Sequence, residues 1–251
     1  MTDEQINILV STWVKKKANR RLIVEEYANT NIFEESEHPS TIMMAGCTGA
    51  GKTEFSKSLL ALTERLPGMK KYVRTDADEL YVRLKQEFSL DGDYRDILNF
   101  PCIKLVEAMC DHALEKEQNL LIDSSFSQSK ALDNVARSLK HNRVVRIYFI
   151  YEQPKVAWNY VLKRERIEGR SVSEEFFIQT YLGSIATVSE AISRFGDKII
   201  VDIYRKSTNV HSDILIPKFE QLCRVLSVAD LDKIIVKKYN EDELSEEIAT
   251  V

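Results

Sequence analysis

The residues best suited to chemistry stand in one short run, Gly46-Cys47-Thr48-Gly49-Ala50-Gly51-Lys52-Thr53. It fits G-x-x-x-x-G-K-[ST], the pattern of a phosphate-binding loop. Gly46, Gly49 and Gly51 let the backbone turn tightly and aim its N–H groups at an anion. Lys52 brings a mobile positive charge to the β- and γ-phosphates of ATP. Thr53 offers a hydroxyl to Mg²⁺, an ion that keeps several waters and takes few protein ligands. A helix starting near Gly51 adds its partly positive N-terminus. Cys47 reads as an inert filler at a non-glycine position of the loop.

Three further groups of residues could act on a bound nucleotide. Asp76-Ala77-Asp78 follows the short strand expected over 71–75, at the strand end where open α/β sheets take ligands. Helix capping is the competing use for either acid. Asp123-Ser124-Ser125 closes the apolar run 119–122, where an acid can hold a water of the Mg²⁺ shell or orient a substrate. Lys163, Arg164, Arg166 and Arg170 crowd eight positions around Gly169. Such a cluster suits a mobile flap whose guanidinium groups neutralise charge on a transferred phosphoryl group. Glu107 lies beside the apolar stripe of a helix over 101–116, where a solvated glutamate and a ligand contact are both open readings.

The elements that must position these groups follow from periodicity. A buried strand over 41–45 precedes the loop, and Phe55, Leu59 and Leu62 share one face of the helix behind it. Further strands are expected at 71–75, 119–123, 144–150 and 198–204, with helices following 76–79 and over 101–116, 129–140, 154–168 and 172–194. The pattern predicts an α/β fold with a mainly parallel sheet and helices on both faces. Ile6, Leu9, Val10 and Trp13, then Leu22, Ile23 and Tyr27, predict a helical arm over 3–30. The expected layout is an arm at 1–38, one nucleotide-binding domain at 39–235 with a flap about 154–172, and a tail at 236–251 that is either loose or an exposed helix. The arm is expected to pack on the domain, with closure over a ligand as the second role.

Composition narrows the class of partner. A net charge of −4 argues against broad attraction to nucleic acid or to an anionic membrane. Four scattered cysteines without C-x-x-C spacing suit a reducing compartment and no structural zinc. No apolar run reaches spanning length and no signal-peptide core is read at the N-terminus, so a cytoplasmic protein is expected.

Taken together the order is phosphate loop, Asp-x-Asp, apolar-apolar-acid-x-Ser/Thr, then Arg-x-Arg and Gly-Arg. Over residues 40–204 this resembles the zeta-toxin family of P-loop kinases. The resemblance implies transfer of the ATP γ-phosphoryl, with Mg²⁺, to the 3′-hydroxyl of a UDP-amino sugar such as UDP-N-acetylglucosamine. By position it implies Lys52 and Thr53 on the phosphates and Mg²⁺, and Asp78 as the base that activates the hydroxyl. Asp76 is implied as structural or near the metal. Glu107, sixteen residues before Asp123, matches a sugar-nucleotide contact. Asp123 stands where the family usually has Glu and Ser125 where it has Thr, implying substrate and metal-water contacts. Arg164 and Arg170 match the phosphate-contacting arginines, with Arg166 as an alternative to Arg164. The family's His-Pro pair is absent after Asp78, and Phe126 puts a bulky ring where the family has a small residue near the sugar. A small helical antitoxin is the implied partner. The alternatives are a P-loop kinase of another acceptor (an antibiotic, a nucleoside or a polynucleotide end) and a nucleotide-dependent toxin or interaction module.

Overall fold

The computed structural model describes residues 1–168, 171–207, 216 and 218–251. In chain order the described elements are α1 (Asp3–Lys15), α2 (Lys17–Tyr27), β1 (Ser40–Ala45), α3 (Lys52–Thr63), β2 (Tyr72–Asp76), α4 (Ala77–Glu87), α5 (Arg95–Glu115) and β3 (Asn119–Asp123). They continue with α6 (Lys130–Lys140), β4 (Val144–Ile150), α7 (Pro154–Glu168), α8 (Glu174–Phe195), β5 (Ile199–Lys206), β6 (Phe219–Val225), α9 (Val228–Ile234) and α10 (Glu241–Ile248). The sheet has six strands in the order β2-β3-β1-β4-β5-β6. The expected α/β class is thus observed. β5 runs parallel to β4, whereas β6 returns antiparallel beside β5.

The chain forms two compact units. The first comprises Met1–Ser40 and Pro67–Ile122, the second Thr41–Leu66 and Asp123–Val251.

In the first unit α5 is the hub, with α1, α2, α4 and β2 packed on it. Ile6, Val10, Val14, Ile23, Leu80, Leu84, Leu98, Leu105 and Met109 form its core. Trp13 meets Phe88 edge-on at 5.7 Å. The arm packs on α5, but through a narrower face than its periodicity suggested: Leu9 and Leu22 are exposed, and Val14 and Val24 are buried instead. The arm also breaks at Lys16, whose extended ψ of 122° ends α1. Neither glycine nor proline marks that break, so residue types alone do not announce it. α5 begins at Arg95, upstream of the expected start at Pro101, because burial of Leu98 extends the helix past the proline. Buried Gln118 anchors the connection after the arm by donating from Nε2 to the carbonyls of Ala28 (2.9 Å) and Phe33 (2.7 Å).

In the second unit Phe55 of α3 packs against Tyr148, Tyr204 and Phe219, with centroids 4.8–5.2 Å away. Each such pair adds about 0.5–1.5 kcal/mol beyond area burial, so the cluster fixes the helix behind the phosphate loop to β4, β5 and β6. Asp202, 1% exposed, accepts from Arg224 Nε (2.9 Å), Gln221 Nε2 (3.0 Å) and Arg146 Nη1 (3.4 Å). The polar C-terminal stretch is neither loose nor an exposed helix: α10 packs on α7 and α8 and buries Leu244 and Ile248. Among the described residues no helix is long and apolar enough to cross a membrane.

Candidate functional site

The phosphate loop leaves β1 at Ala45 and enters α3 at Lys52. Its glycines are required by geometry. Gly46 has φ +134°, and a Cβ there would lie 2.3 Å from the Ile150 carbonyl oxygen. Gly49 has φ +83°, and its Cβ would lie 2.3 Å from the Ala157 carbonyl oxygen. Backbone from β4 and α7 therefore presses on the loop at two points, which only glycine permits. Gly46 N–H donates to the Ser125 carbonyl at 3.1 Å, tying the loop to the stretch after β3. Lys52 folds back, its Nζ donating to the Cys47 carbonyl at 2.7 Å. Thr53 is exposed at the first turn of α3, with its hydroxyl reachable from solvent. Thr48 lies 3.4 Å from the Thr180 hydroxyl of α8. Ala50 is buried. Burial pushes the Cys47 thiol up to about 12, so it stays protonated and inert, as a filler does.

Asp123 comes to the same turn of α3. Its Oδ2 accepts from the Ser56 hydroxyl at 2.7 Å, and the Thr53 carbonyl, 3.1 Å from the same hydroxyl oxygen, is the alternative acceptor. Ser56 therefore holds the acid beside the first turn of α3. Sequence reading overlooked Ser56, although its i+3 spacing from Thr53 was a usable signal. Ser125 pairs with the Ser127 hydroxyl at 2.6 Å. Phe126 does not face an open pocket: its ring is 2% exposed in the core, at the cost of φ +56°. Arg164 and Arg166 stand exposed on α7. Arg170 lies outside the described residues.

The first unit separates the two acids of Asp-x-Asp. Asp76 caps α4 by accepting from the Asp78 N–H at 2.8 Å, and its other oxygen receives Arg74 Nη2 at 2.6 Å. Its side chain is 9% exposed. Asp78, one turn into solvent, is 46% exposed and 3.6 Å from Arg95 Nη1. Arg95 was not anticipated from sequence. Its guanidinium stacks on Tyr81 at 4.6 Å, and its Nε lies 3.6 Å from Asp93. Glu107 sits on α5 and accepts from Lys104 Nζ at 2.8 Å.

The donor set suits a Mg²⁺–nucleotide in that Thr53, an exposed hydroxyl residue, follows Lys52 in the first turn of α3, and Asp123 at the end of β3 reaches the same helix through Ser56. Among the described residues no cluster of three His, Cys, Asp or Glu could cage a metal without a nucleotide.

The zeta toxin family model matches residues 24–213. No match was found among curated proteins. Among solved structures, a component of the PezAT chromosomal toxin–antitoxin system of Streptococcus pneumoniae aligns at TM-score 0.60 and 17% identity, covering 100% of this chain and 93% of that one. The AvrRxo1-ORF1:AvrRxo1-ORF2 complex with sulphate ions aligns at TM-score 0.58 and 14% identity, covering 91% of this chain and 72% of that one. The same complex with ATP gives TM-score 0.58 and 14% identity, covering 91% and 71%. With its glycine loop, its lysine and its helix-borne acid in place over the matched span, the chain belongs to the zeta toxin family and is an ATP-dependent kinase.

Proposed function

We propose that the kinase transfers the γ-phosphoryl of ATP to a sugar hydroxyl of a UDP-amino sugar such as UDP-N-acetylglucosamine. The observation that carries this reading is the division of labour in Asp76-Ala77-Asp78. Asp76 is consumed by capping α4 and pairing Arg74, whereas Asp78 remains solvent-reachable beside a guanidinium. An acid in that setting can accept a proton from an incoming hydroxyl, a step worth about 10²–10⁴-fold.

Each residue then has a stated task. The loop from Gly46 to Thr53, through Cys47, Thr48, Gly49, Ala50 and Gly51, holds the ATP phosphates on backbone N–H groups. Lys52 places its ammonium on the β/γ oxygens. Thr53 and the Ser56-oriented Asp123 would hold Mg²⁺, which supplies charge neutralisation on the phosphates when bound. Arg164 and Arg170, on the expected flap, stabilise charge on the transferred group, with Arg166 as the alternative to Arg164. Asp78 takes the hydroxyl proton, while Glu107 and Ser125 orient the acceptor. Transfer is in-line, and positioning supplies most of the rate.

The molecular setting proposed is the cytoplasm, with a small helical antitoxin as protein partner. The toxin–antitoxin nature of the PezAT system supports that partner. The test is incubation of the protein with Mg²⁺, ATP and UDP-N-acetylglucosamine, followed by mass spectrometry. A product heavier by one phosphate, on the sugar, is expected. ATP turnover with an unmodified UDP-sugar, alongside phosphorylation of another metabolite in a cell extract, would assign the kinase to a different acceptor.

A further inference from the structure

α8 reaches the phosphate loop through a buried hydroxyl. Thr180 is 3% exposed, and its Oγ1 donates to the Phe177 carbonyl at 3.0 Å. A hydroxyl has one proton to give and lone pairs to spare. With that proton spent on Phe177, the oxygen faces Thr48 as an acceptor. The Thr48 backbone nitrogen and the Thr48 hydroxyl oxygen each lie 3.4 Å from it. Further along the helix, a Cβ on Gly183 would lie 2.6 Å from the Ser127 carbonyl oxygen. α8 thus meets both the phosphate loop and the stretch after β3. α7 meets the neighbouring loop residue, where the Ala157 carbonyl lies against Gly49. Trp158 of α7 packs at 5.0 Å on Phe177, the residue that takes the Thr180 proton.

We propose that Thr180 is a positioning residue for phosphoryl transfer: by accepting from the N–H and hydroxyl of Thr48 it latches the phosphate loop to α8, so that the loop and the paired helices α7 and α8 keep one relation while the phosphoryl group moves. The proposal rests on ATP as the donor and not on the identity of the acceptor.

Thr48 stands between Gly46 and Gly49, both at positive φ. A glycine-rich loop resists bending little by itself, so its shape is set by what holds it from outside. Binding and transfer draw on such a latch differently. The loop N–H groups and Lys52 can hold phosphates in more than one register, whereas transfer needs the donor phosphate and the cations of α7 in line. A misplacement of about 1 Å costs about 10²-fold in rate. The latch therefore acts on kcat and leaves ATP affinity alone. Contacts as long as these are of the kind that tighten when reacting groups are bound. A bond to the preceding turn is the ordinary use of a helix threonine. A threonine with that use alone could become valine without any effect on transfer.

The test compares Thr180→Val, which keeps the shape and removes the oxygen, with Thr180→Ser, which keeps the oxygen. Affinity for a non-hydrolysable ATP analogue is measured by calorimetry. ADP release is followed by rapid quench with UDP-N-acetylglucosamine and, separately, with water as the only acceptor. Thr180→Val is expected to slow ADP release about tenfold with either acceptor, with affinity for the analogue within about twofold of wild type. Thr180→Ser is expected to recover most of the rate. Adding Thr48→Val to Thr180→Val should lower the rate no further, since both remove one shared contact. A wild-type rate in Thr180→Val, a loss that serine does not rescue, or an equal loss of rate and ATP affinity would overturn the latch. The two readings fail separately. If the UDP-sugar is never phosphorylated but Thr180→Val slows release to water, the acceptor reading falls and the latch stands. Phosphorylation of the UDP-sugar at an unchanged rate in Thr180→Val does the reverse.

Discussion

The phosphate loop of the second unit is shaped by backbone contacts, whereas Asp78 and Glu107 of the first unit are held by side chains. Around the phosphate loop, carbonyls of Ile150 and Ala157 press on Gly46 and Gly49 so closely that no Cβ fits, and Lys52 is itself held by a carbonyl. In the first unit Asp78 is approached by Arg95, which leans on Tyr81, and Glu107 is held by Lys104. A backbone cradle admits few sequences and recognises one constant group, a polyphosphate. Side chains on helix surfaces can change one at a time without disturbing the fold. In the function proposed above, the loop is the donor half and the helix surface the acceptor half.

This contrast can be broken by variants that act on one half only. The first effect is structural. Asp202→Ala removes the buried acceptor shared by Arg146 and Arg224 in the second unit. Both guanidinium groups reach water, so the loss is that of charge-assisted hydrogen bonds, about 1.5–3 kcal/mol, to be read by denaturant unfolding. Next, Lys52→Ala is expected to lower kcat/KM by about 10²–10³-fold through loss of phosphate charge stabilisation. Binding of the UDP-sugar, followed by calorimetry, should be untouched. Glu107→Gln is the mirror image. It should raise the acceptor KM about tenfold while the KM for ATP stays constant. If either variant moved both affinities equally, the division into donor and acceptor halves would fail.

The smallest expected effect tests the buried surroundings of the loop. Burial raises the Glu152 carboxyl above its ordinary 4.5, against the opposing pull of the Gln153 N–H and of Arg205 and Lys206. A raised folded value means its stabilising contribution is complete below that ordinary value and is lost as pH rises through the folded value. The charged carboxylate therefore costs stability at neutral pH. Glu152→Gln should raise Tm by about 2 °C near neutral pH and by nothing below about pH 4. A scan of Tm against pH for both proteins checks it.

Much of this was legible in the amino-acid order, for a physical reason. Loop glycines, the apolar strand before them and the acids closing β2 and β3 are local patterns, and local patterns survive in sequence. The roles of Asp76 and Asp78 were not separable that way, because either can cap a helix. Only the hydrogen bond from the Asp78 N–H to Asp76 decides which one does. Arg95 was invisible because it reaches Asp78 from another helix, seventeen positions downstream. The residue type of Phe126 does not announce its left-handed φ of +56° or the burial of its ring, both of which depend on the surrounding packing. The start of α5 and the packing of α10 were misjudged because burial of Leu98, Leu244 and Ile248 outweighs local turn chemistry and polarity. Tertiary packing of that kind leaves no mark in a short window.

The central claim is that Asp78 activates the acceptor while the phosphate loop independently holds ATP. Its most direct test is Asp78→Asn, assayed for ATP affinity by calorimetry and for phosphoryl transfer to UDP-N-acetylglucosamine by single-turnover kinetics. The account predicts unchanged ATP affinity and a fall in transfer of about 10³-fold. Transfer at the wild-type rate in Asp78→Asn would contradict it.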